Sequence, residues 1–187
     1  DAMRLVAVDE WQLTQTEDPV QRHELLREIA ALLEPQGEQG PEFAFNTLVR
    51  ALAEPGPEGA LESLDAEVLR VSRQYGFDQE LRHAVLQAAE AEALASDVPR
   101  RVVLMLQAAQ LAVNSGDNDA AITILRHALA VSPDDRGALA LLDETLALAA
   151  DFEGLRDVLE RRITVATDDE ERIDLLRRLA RLVEEGL

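Results

Sequence analysis

The chain contains no cysteine and no lysine, and each absence removes a class of chemistry. Without cysteine there are no disulfides, thiol nucleophiles or thiolate metal ligands. All 18 basic residues are arginine, which excludes a Schiff-base lysine and the lysine of a Walker A phosphate loop. The side chains that remain as possible nucleophiles, acids or bases are therefore carboxylates, histidines and hydroxyl groups.

Aromatic residues make up only 3% of the sequence, and its apolar residues are mainly leucine and alanine. This composition favours helices over sheets. Apolar residues recur with a period near 3.6, and no stretch alternates as a half-buried strand does. Because no apolar run reaches the roughly 20 residues that span a bilayer, we predict no membrane insertion.

The seven prolines lie between the helical patterns, as their missing N–H and fixed φ require. With the glycine-rich loops, they divide the chain into ten predicted helices. The predicted helices cover residues 2–16, 19–34, 41–53, 60–75, 78–95, 99–114, 118–131, 135–149, 152–166 and 169–185.

The sequence repeats internally. Residues 5–34 and 155–184 are identical at twelve of thirty positions, and a weaker copy follows Asp97. The other helices also recur, so the true repeat is a pair of hairpins about 75 residues long. A period of about 34–40 residues per helix pair is typical of an α-solenoid, in which each hairpin buries its apolar face against its neighbours.

Residues 116–133 resemble the second half of a tetratricopeptide repeat. In that family a Gly-Asp turn precedes the second helix, which carries two spaced alanines and is followed by a proline. The matching positions here are Gly116, Asp117, Ala121, Ala128 and Pro133. The resemblance is to a variant found in long arrays of GC-rich bacteria, and it implies that the chain is a bacterial fragment of a longer repeat protein.

The resemblance implies one all-α domain over residues 1–187, a right-handed superhelix of about five hairpins. The hairpin units are expected at about 20–55, 59–95, 98–133 and 135–166, with partial units at 1–16 and 169–187. Small residues are expected where the paired helices cross, and larger ones there would cost about 1–3 kcal/mol. The crossing residues are Ala30, Ala109, Ala121, Ala128 and Ala180.

In this family the first helix of each hairpin lines a concave groove. The resemblance places twelve residues there: Glu24, Arg27, Arg70, Arg73, Gln74, Val103, Leu106, Gln110, Asn114, Glu144, Arg177 and Arg181. The groove arginines are candidates to clamp the carboxylate of a peptide C-terminus or an acidic motif. The alternative is that they pair with neighbouring acids, as surface ion pairs worth about 0–1 kcal/mol.

The formal net charge of −19 argues against nucleic-acid binding, which depends on cationic contacts to phosphates. It either attracts a basic partner or simply keeps the chain in solution. The three histidines fall on separate helices and predict no metal site. Asp65 and Asp143 recur at matching positions, and this duplication favours a structural role over a catalytic pair. Trp11 is expected to pack on the second helix, or alternatively to be an exposed anchor.

These observations predict a protein–protein interaction scaffold that holds a peptide or helix of a partner in its groove. The alternative is self-association through the ends of the solenoid, or a structural spacer role in a larger array. A third class, an enzyme subunit, is disfavoured because no nucleophile–base pair, phosphate loop or ligand cluster is present. We therefore predict no enzyme activity and no cofactor. The absence of cysteine, of a signal peptide and of a membrane-spanning run predicts a cytoplasmic location.

Overall fold

A computed structural model describes residues 2–56 and 58–184, and these contain ten α-helices and no strand. The helices are α1 (Ala2–Gln15), α2 (Pro19–Leu33), α3 (Gly40–Leu52), α4 (Glu58–Tyr75), α5 (Asp78–Ala89), α6 (Val98–Asn114), α7 (Asn118–Val131), α8 (Arg136–Ala149), α9 (Phe152–Val165) and α10 (Asp169–Glu184). The prediction of an all-α fold with ten helices is confirmed for this part of the chain. Residues 1 and 185–187 of the two predicted partial units, and Pro57, lie outside the described residues.

Aspartate side chains begin several of the helices. Asp18 accepts a hydrogen bond from the N–H of Val20 at the start of α2. In the same way Asp117, Asp135 and Asp151 cap α7, α8 and α9. An aspartate at this position satisfies an N–H that has no partner within the helix and places negative charge at the positive end of the helix dipole.

The fifth helix is shorter than the predicted 78–95. It ends at Ala89, and after an extended residue, Ala91, the chain forms a short 3-10 turn over Glu92–Leu94. The turn places the Leu94 side chain in the core, where it is fully buried. Since neither proline nor glycine marks this break, the apolar period alone did not reveal it.

The helices form two compact units. In the first, Asp1–Arg101, α1 packs on α2, α2 on α3, α3 on α4 and α5, and α4 on α5. The largest fully buried side chains of this unit come from all five helices except α1, together with the 3-10 turn: Leu26, Ile29, Leu48, Leu52, Leu64, Leu81 and Leu94. Each helix after α1 therefore contributes to one continuous apolar core.

The second unit, Val102–Leu187, contains most of α6 and all of α7–α10. Here α7 packs on α8, α8 on α9 and α9 on α10. Its largest fully buried side chains are Leu104, Met105, Leu125, Leu139 and Leu146. The right-handed superhelix stays a prediction.

Four of the five alanines predicted at helix crossings are buried: Ala30, Ala109, Ala121 and Ala128. The fifth, Ala180, is exposed on α10.

Gly116 has a φ of 79° in the turn before α7, a left-handed conformation that glycine adopts without strain.

We expect Gly40→Ala to destabilise the protein by about 1–3 kcal/mol, because the new methyl group would overpack the start of α3. A Cβ at Gly40 would lie 2.5 Å from the carbonyl oxygen of Leu33 and 2.8 Å from that of Glu34. The matched control is Gly59→Ala on α4, where a Cβ has no neighbour within 4 Å. Urea denaturation should show a loss of stability for the first variant and none for the second, and equal midpoints would contradict the packing argument.

Candidate functional site

In the first unit, the predicted groove arginines join α2 to α4. The Nε atom of Arg27 lies 2.8 Å from a carboxylate oxygen of Glu67. Arg70 donates two hydrogen bonds to Glu34, of 2.7 and 2.9 Å, and a third to the Gln74 side chain. For Arg27 and Arg70, the structure thus matches the alternative in which arginines pair with neighbouring acids.

The cluster around Glu34 changes the acidity of its members. The hydrogen bonds from Arg70 lower the pKa of the Glu34 carboxyl, and the same bonds raise the pKa of Arg70. Desolvation and a 3.2 Å hydrogen bond to Glu34 raise the pKa of the Tyr75 hydroxyl. The carboxylate is therefore held in its charged form and is already engaged by two donors.

Two further groove candidates of this unit are exposed. Arg73 forms no ion pair with a described residue. Glu24 lines an open cleft of about 470 Å³ beside α1, together with Gln12, Gln15, Gln21 and other residues. Glu24 and the Arg70 cluster therefore contribute to different surface features of this unit.

In the second unit, α6 and α8 form an open cleft of about 410 Å³. Three predicted groove residues line it, namely Leu106 and Gln110 from α6 and Glu144 from α8. The other lining residues are Gln107, Gly137, Ala140 and Leu141. The sequence thus identified three of the seven lining residues and missed the small residues of α8 that leave room between the helices.

Two more candidates extend the same side of α6. Val103 is exposed one turn before Leu106, and Asn114 accepts a 3.1 Å hydrogen bond from the amide of Gln110. These residues and Gln107 recur at positions i, i+3, i+4, i+7 and i+11, the spacing of one helix face. The cleft therefore has an apolar floor and a rim of amide groups.

The internal repeat shows that the ion pairs between α2 and α4 have no counterpart between α6 and α8. Leu106 and Val113 of α6 stand where α2 has Arg27 and Glu34, 79 residues earlier. Thr145 and Leu148 of α8 stand where α4 has Glu67 and Arg70, 78 residues earlier. Both ion pairs that join α2 to α4 are thus replaced by uncharged residues. Aligning the repeats with each other reveals this loss of charged residues, whereas the positions of the arginines alone do not.

The last two candidates lie on α10 and do not line the α6/α8 cleft. Arg177 pairs with Asp174, one turn earlier on the same helix, at 3.0 Å. Arg181 is exposed and forms no ion pair with any residue described. The twelve candidates therefore divide among the cleft beside α1, the α2/α4 surface, the α6/α8 side of the second unit and α10.

The recurring aspartates are ion-pair partners. Asp65 of α4 accepts two hydrogen bonds from Arg100, of 2.8 and 2.9 Å. Asp143 of α8 is fully buried and binds Arg162 of α9 and Arg178 of α10. Each carboxylate joins its own helix to one or two later helices, which supports the structural interpretation.

The expectation that Trp11 packs on the second helix is wrong, because 63% of its surface is exposed. The residue that α1 buries is Leu13. Residues two apart on a helix point about 160° away from each other, so Leu13 and Trp11 lie on nearly opposite sides. The alternative of an exposed aromatic residue agrees with this position.

His23 is buried, with Nε2 3.1 Å from the carbonyl oxygen of Pro55. Over residues 2–56 and 58–184, no group of three or more histidine or acidic side chains is arranged to hold a metal ion. Within those same ranges, no helix has both the length and the apolar content to cross a lipid bilayer.

No protein-family model matches this chain, and no curated protein matches it.

Glu34→Gln tests the ion pair between Glu34, at the end of α2, and Arg70 of α4. Arg70 lowers the pKa of the Glu34 carboxyl, so the pair stabilises the fold fully at pH values above 4.5, the ordinary pKa of this group. The contribution is lost as the pH falls through the lower pKa of the folded state. We expect the stability difference between wild type and Glu34→Gln to be about 1 kcal/mol or less at pH 7 and to shrink in acid. Urea denaturation at several pH values measures it.

The matched control is Glu38→Gln, which removes an exposed carboxylate that forms no ion pair with a described residue. This variant should track the wild type across the pH range. A stability difference for Glu34→Gln that stays constant from pH 7 to acid would contradict the role given to the charged pair.

Proposed function

We propose that the chain is a tetratricopeptide-like interaction module whose α6/α8 cleft binds a helix or extended segment of a partner protein. The observation that carries this proposal is the cleft itself. Leu106, Ala140 and Leu141 supply apolar surface between the helices, while Gln110 and Glu144 supply polar groups beside it. Ligand sites commonly combine apolar surface with a few polar groups that fix orientation.

The side chains around the cleft indicate the chemistry of the bound segment. An apolar side chain fits between Leu106 and Ala140. The amide of Gln110 donates one hydrogen bond to Asn114, and it also carries an oxygen and a second N–H that can bond a backbone or polar group. Glu144 is exposed and forms no ion pair with any described residue, so it favours an arginine or lysine on the partner. The net charge of −19 would attract such a segment over a longer range.

Binding is a better account of this cleft than catalysis. Its seven lining residues carry two amides and one carboxylate, with no hydroxyl or imidazole group among them. A lone exposed carboxylate does not make a nucleophile with a neighbouring base. The carboxylate clamp has no support in this cleft either, since no arginine lines it. We retain it only for Arg73 and Arg181.

Self-association through the ends is the second candidate function. Its support is the exposed apolar surface of α1, which includes Leu5, Val8 and Trp11, and that of α10, which includes Ile173 and Leu176.

The cytoplasmic location stays a prediction.

Selection of peptides from a displayed random library, with the immobilised chain as bait, tests the cleft directly. We expect enriched peptides to contain an apolar residue close to arginine or lysine. Calorimetry on a selected peptide should then show at least a tenfold loss of affinity for Ala140→Arg, which fills the cleft, and a clear loss for Glu144→Arg, which reverses the charge at its rim.

The matched control is Ala149→Arg, the same substitution at an exposed position on the opposite side of α8. It should leave the affinity unchanged. Selected peptides that bind wild type and Ala140→Arg equally well would show that the cleft is not the binding site. Enrichment of acidic peptides would contradict the role given to Glu144.

A further inference from the structure

The last helix exposes a regular apolar stripe. Ile173, Leu176, Ala180 and Val183 recur at positions i, i+3, i+7 and i+10, so they lie on one side of α10. Three of them are strongly exposed: Ile173 and Leu176 at 48% and Val183 at 57%. The buried Leu175 points to the other side of the helix, where α10 packs on α9.

The same stripe is covered in α2, which α10 repeats with an offset of 150 residues. The corresponding residues are His23, Leu26, Ala30 and Leu33, and none exposes more than 9% of its surface. Both helices pack on the preceding helix, α1 or α9, but α2 also contacts α3 and α4. The α3–α4 helix pair therefore accounts for the difference in burial.

Two charges beside the stripe are also repeated. Arg177 and Glu184 of α10 correspond to Arg27 and Glu34 of α2. In α2 these two residues bind Glu67 and Arg70, which stand three residues apart on α4. Thus α10 retains both the apolar and the charged parts of the surface that binds α3 and α4.

We propose that this face of α10 is a docking surface for a helix pair with the apolar pattern and charges of α3–α4. The first helix of the pair would cover the stripe with an Ala-x-x-x-Leu-x-x-Ala-Leu pattern, as found at 44–52. The second would present a glutamate and an arginine three residues apart to Arg177 and Glu184. This surface is separate from the α6/α8 cleft and does not depend on the function proposed for it.

The charges make the docking selective. The helices α7 and α8 carry the same apolar pattern, at 121–129, but have Thr145 and Leu148 in place of Glu67 and Arg70. A helix pair of the α7–α8 type would cover the apolar stripe but would offer no charged partner to Arg177, which already pairs with Asp174, or to Glu184. The chain thus supplies two probes that share the apolar pattern and differ in the charges under test.

The experiment titrates the full chain against two labelled synthetic peptides, residues 40–75 and residues 118–149, with fluorescence anisotropy as the readout. We expect saturable binding of the 40–75 peptide, about three- to tenfold tighter than that of 118–149, as two exposed ion pairs would give. Leu176→Asp in the chain should weaken binding at least tenfold. Phe43→Asp, the same kind of change at an exposed apolar residue of α3, should leave it unchanged.

Charge reversal tests the orientation of the bound pair. Glu184→Arg in the chain should weaken binding of the 40–75 peptide, and Arg70→Glu in the peptide should restore it. This rescue distinguishes a direct ion pair from a general effect on α10. Circular dichroism of each variant verifies that its helices are retained.

Several results would overturn the proposal. They are the absence of saturable binding up to about 100 µM peptide, binding that Leu176→Asp does not weaken, and failure of the charge-reversed pair to restore affinity. If the chain associates with itself in the absence of peptide, and Leu176→Asp abolishes this association, the face binds a second copy instead. Loss of peptide binding in Ala140→Arg but not in Leu176→Asp would place the peptide in the α6/α8 cleft, so the two proposals fail separately.

Discussion

A helix with apolar residues on two sides must have neighbours on both, and this requirement organises each unit. The preceding helix covers one side of α2, and α3 with α4 covers the other. Burial of a leucine such as Leu26 contributes about 1.5–3 kcal/mol, which no exposed ion pair of this protein matches. Helix α10 carries the same two-sided pattern, and one of its sides is exposed. Where the described residues include no such neighbour, residues of the kind that build the core stay exposed.

The two units use equivalent backbone positions for different surfaces. Between α2 and α4, Arg27 and Glu34 reach across to Glu67 and Arg70 and close the space with ion pairs. Between α6 and α8 the same repeat positions carry uncharged side chains, and one of them, Leu106, lines an open, partly apolar cleft. Partly exposed pairs add little to stability, so their main effect is on which surface stays accessible. A few substitutions at repeat positions therefore change the surface between two helices without changing the fold.

The sequence predicted the fold closely because local signals mark most helix ends. Prolines and capping aspartates such as Asp18 act within one turn, so one sequence is enough to locate them. The break after Ala89 depends on burying Leu94 in the core, and no local signal marks it. The groove was predicted only in part for a similar reason. Whether Arg70 is available or engaged depends on where Glu34 lies across two helices, and that is a matter of packing.

Asp143 and Asp65 show how helices with one apolar pattern come to prefer particular neighbours. Asp143 is fully buried, and a carboxylate there is tolerable only because Arg162 and Arg178 both bind it. A helix in the place of α10 without that arginine would leave the charge poorly compensated, even with equal apolar burial. Asp65 makes the same demand on Arg100. Apolar residues thus supply most of the stabilisation in each unit, while the arginine–carboxylate pairs select which helix lies beside which.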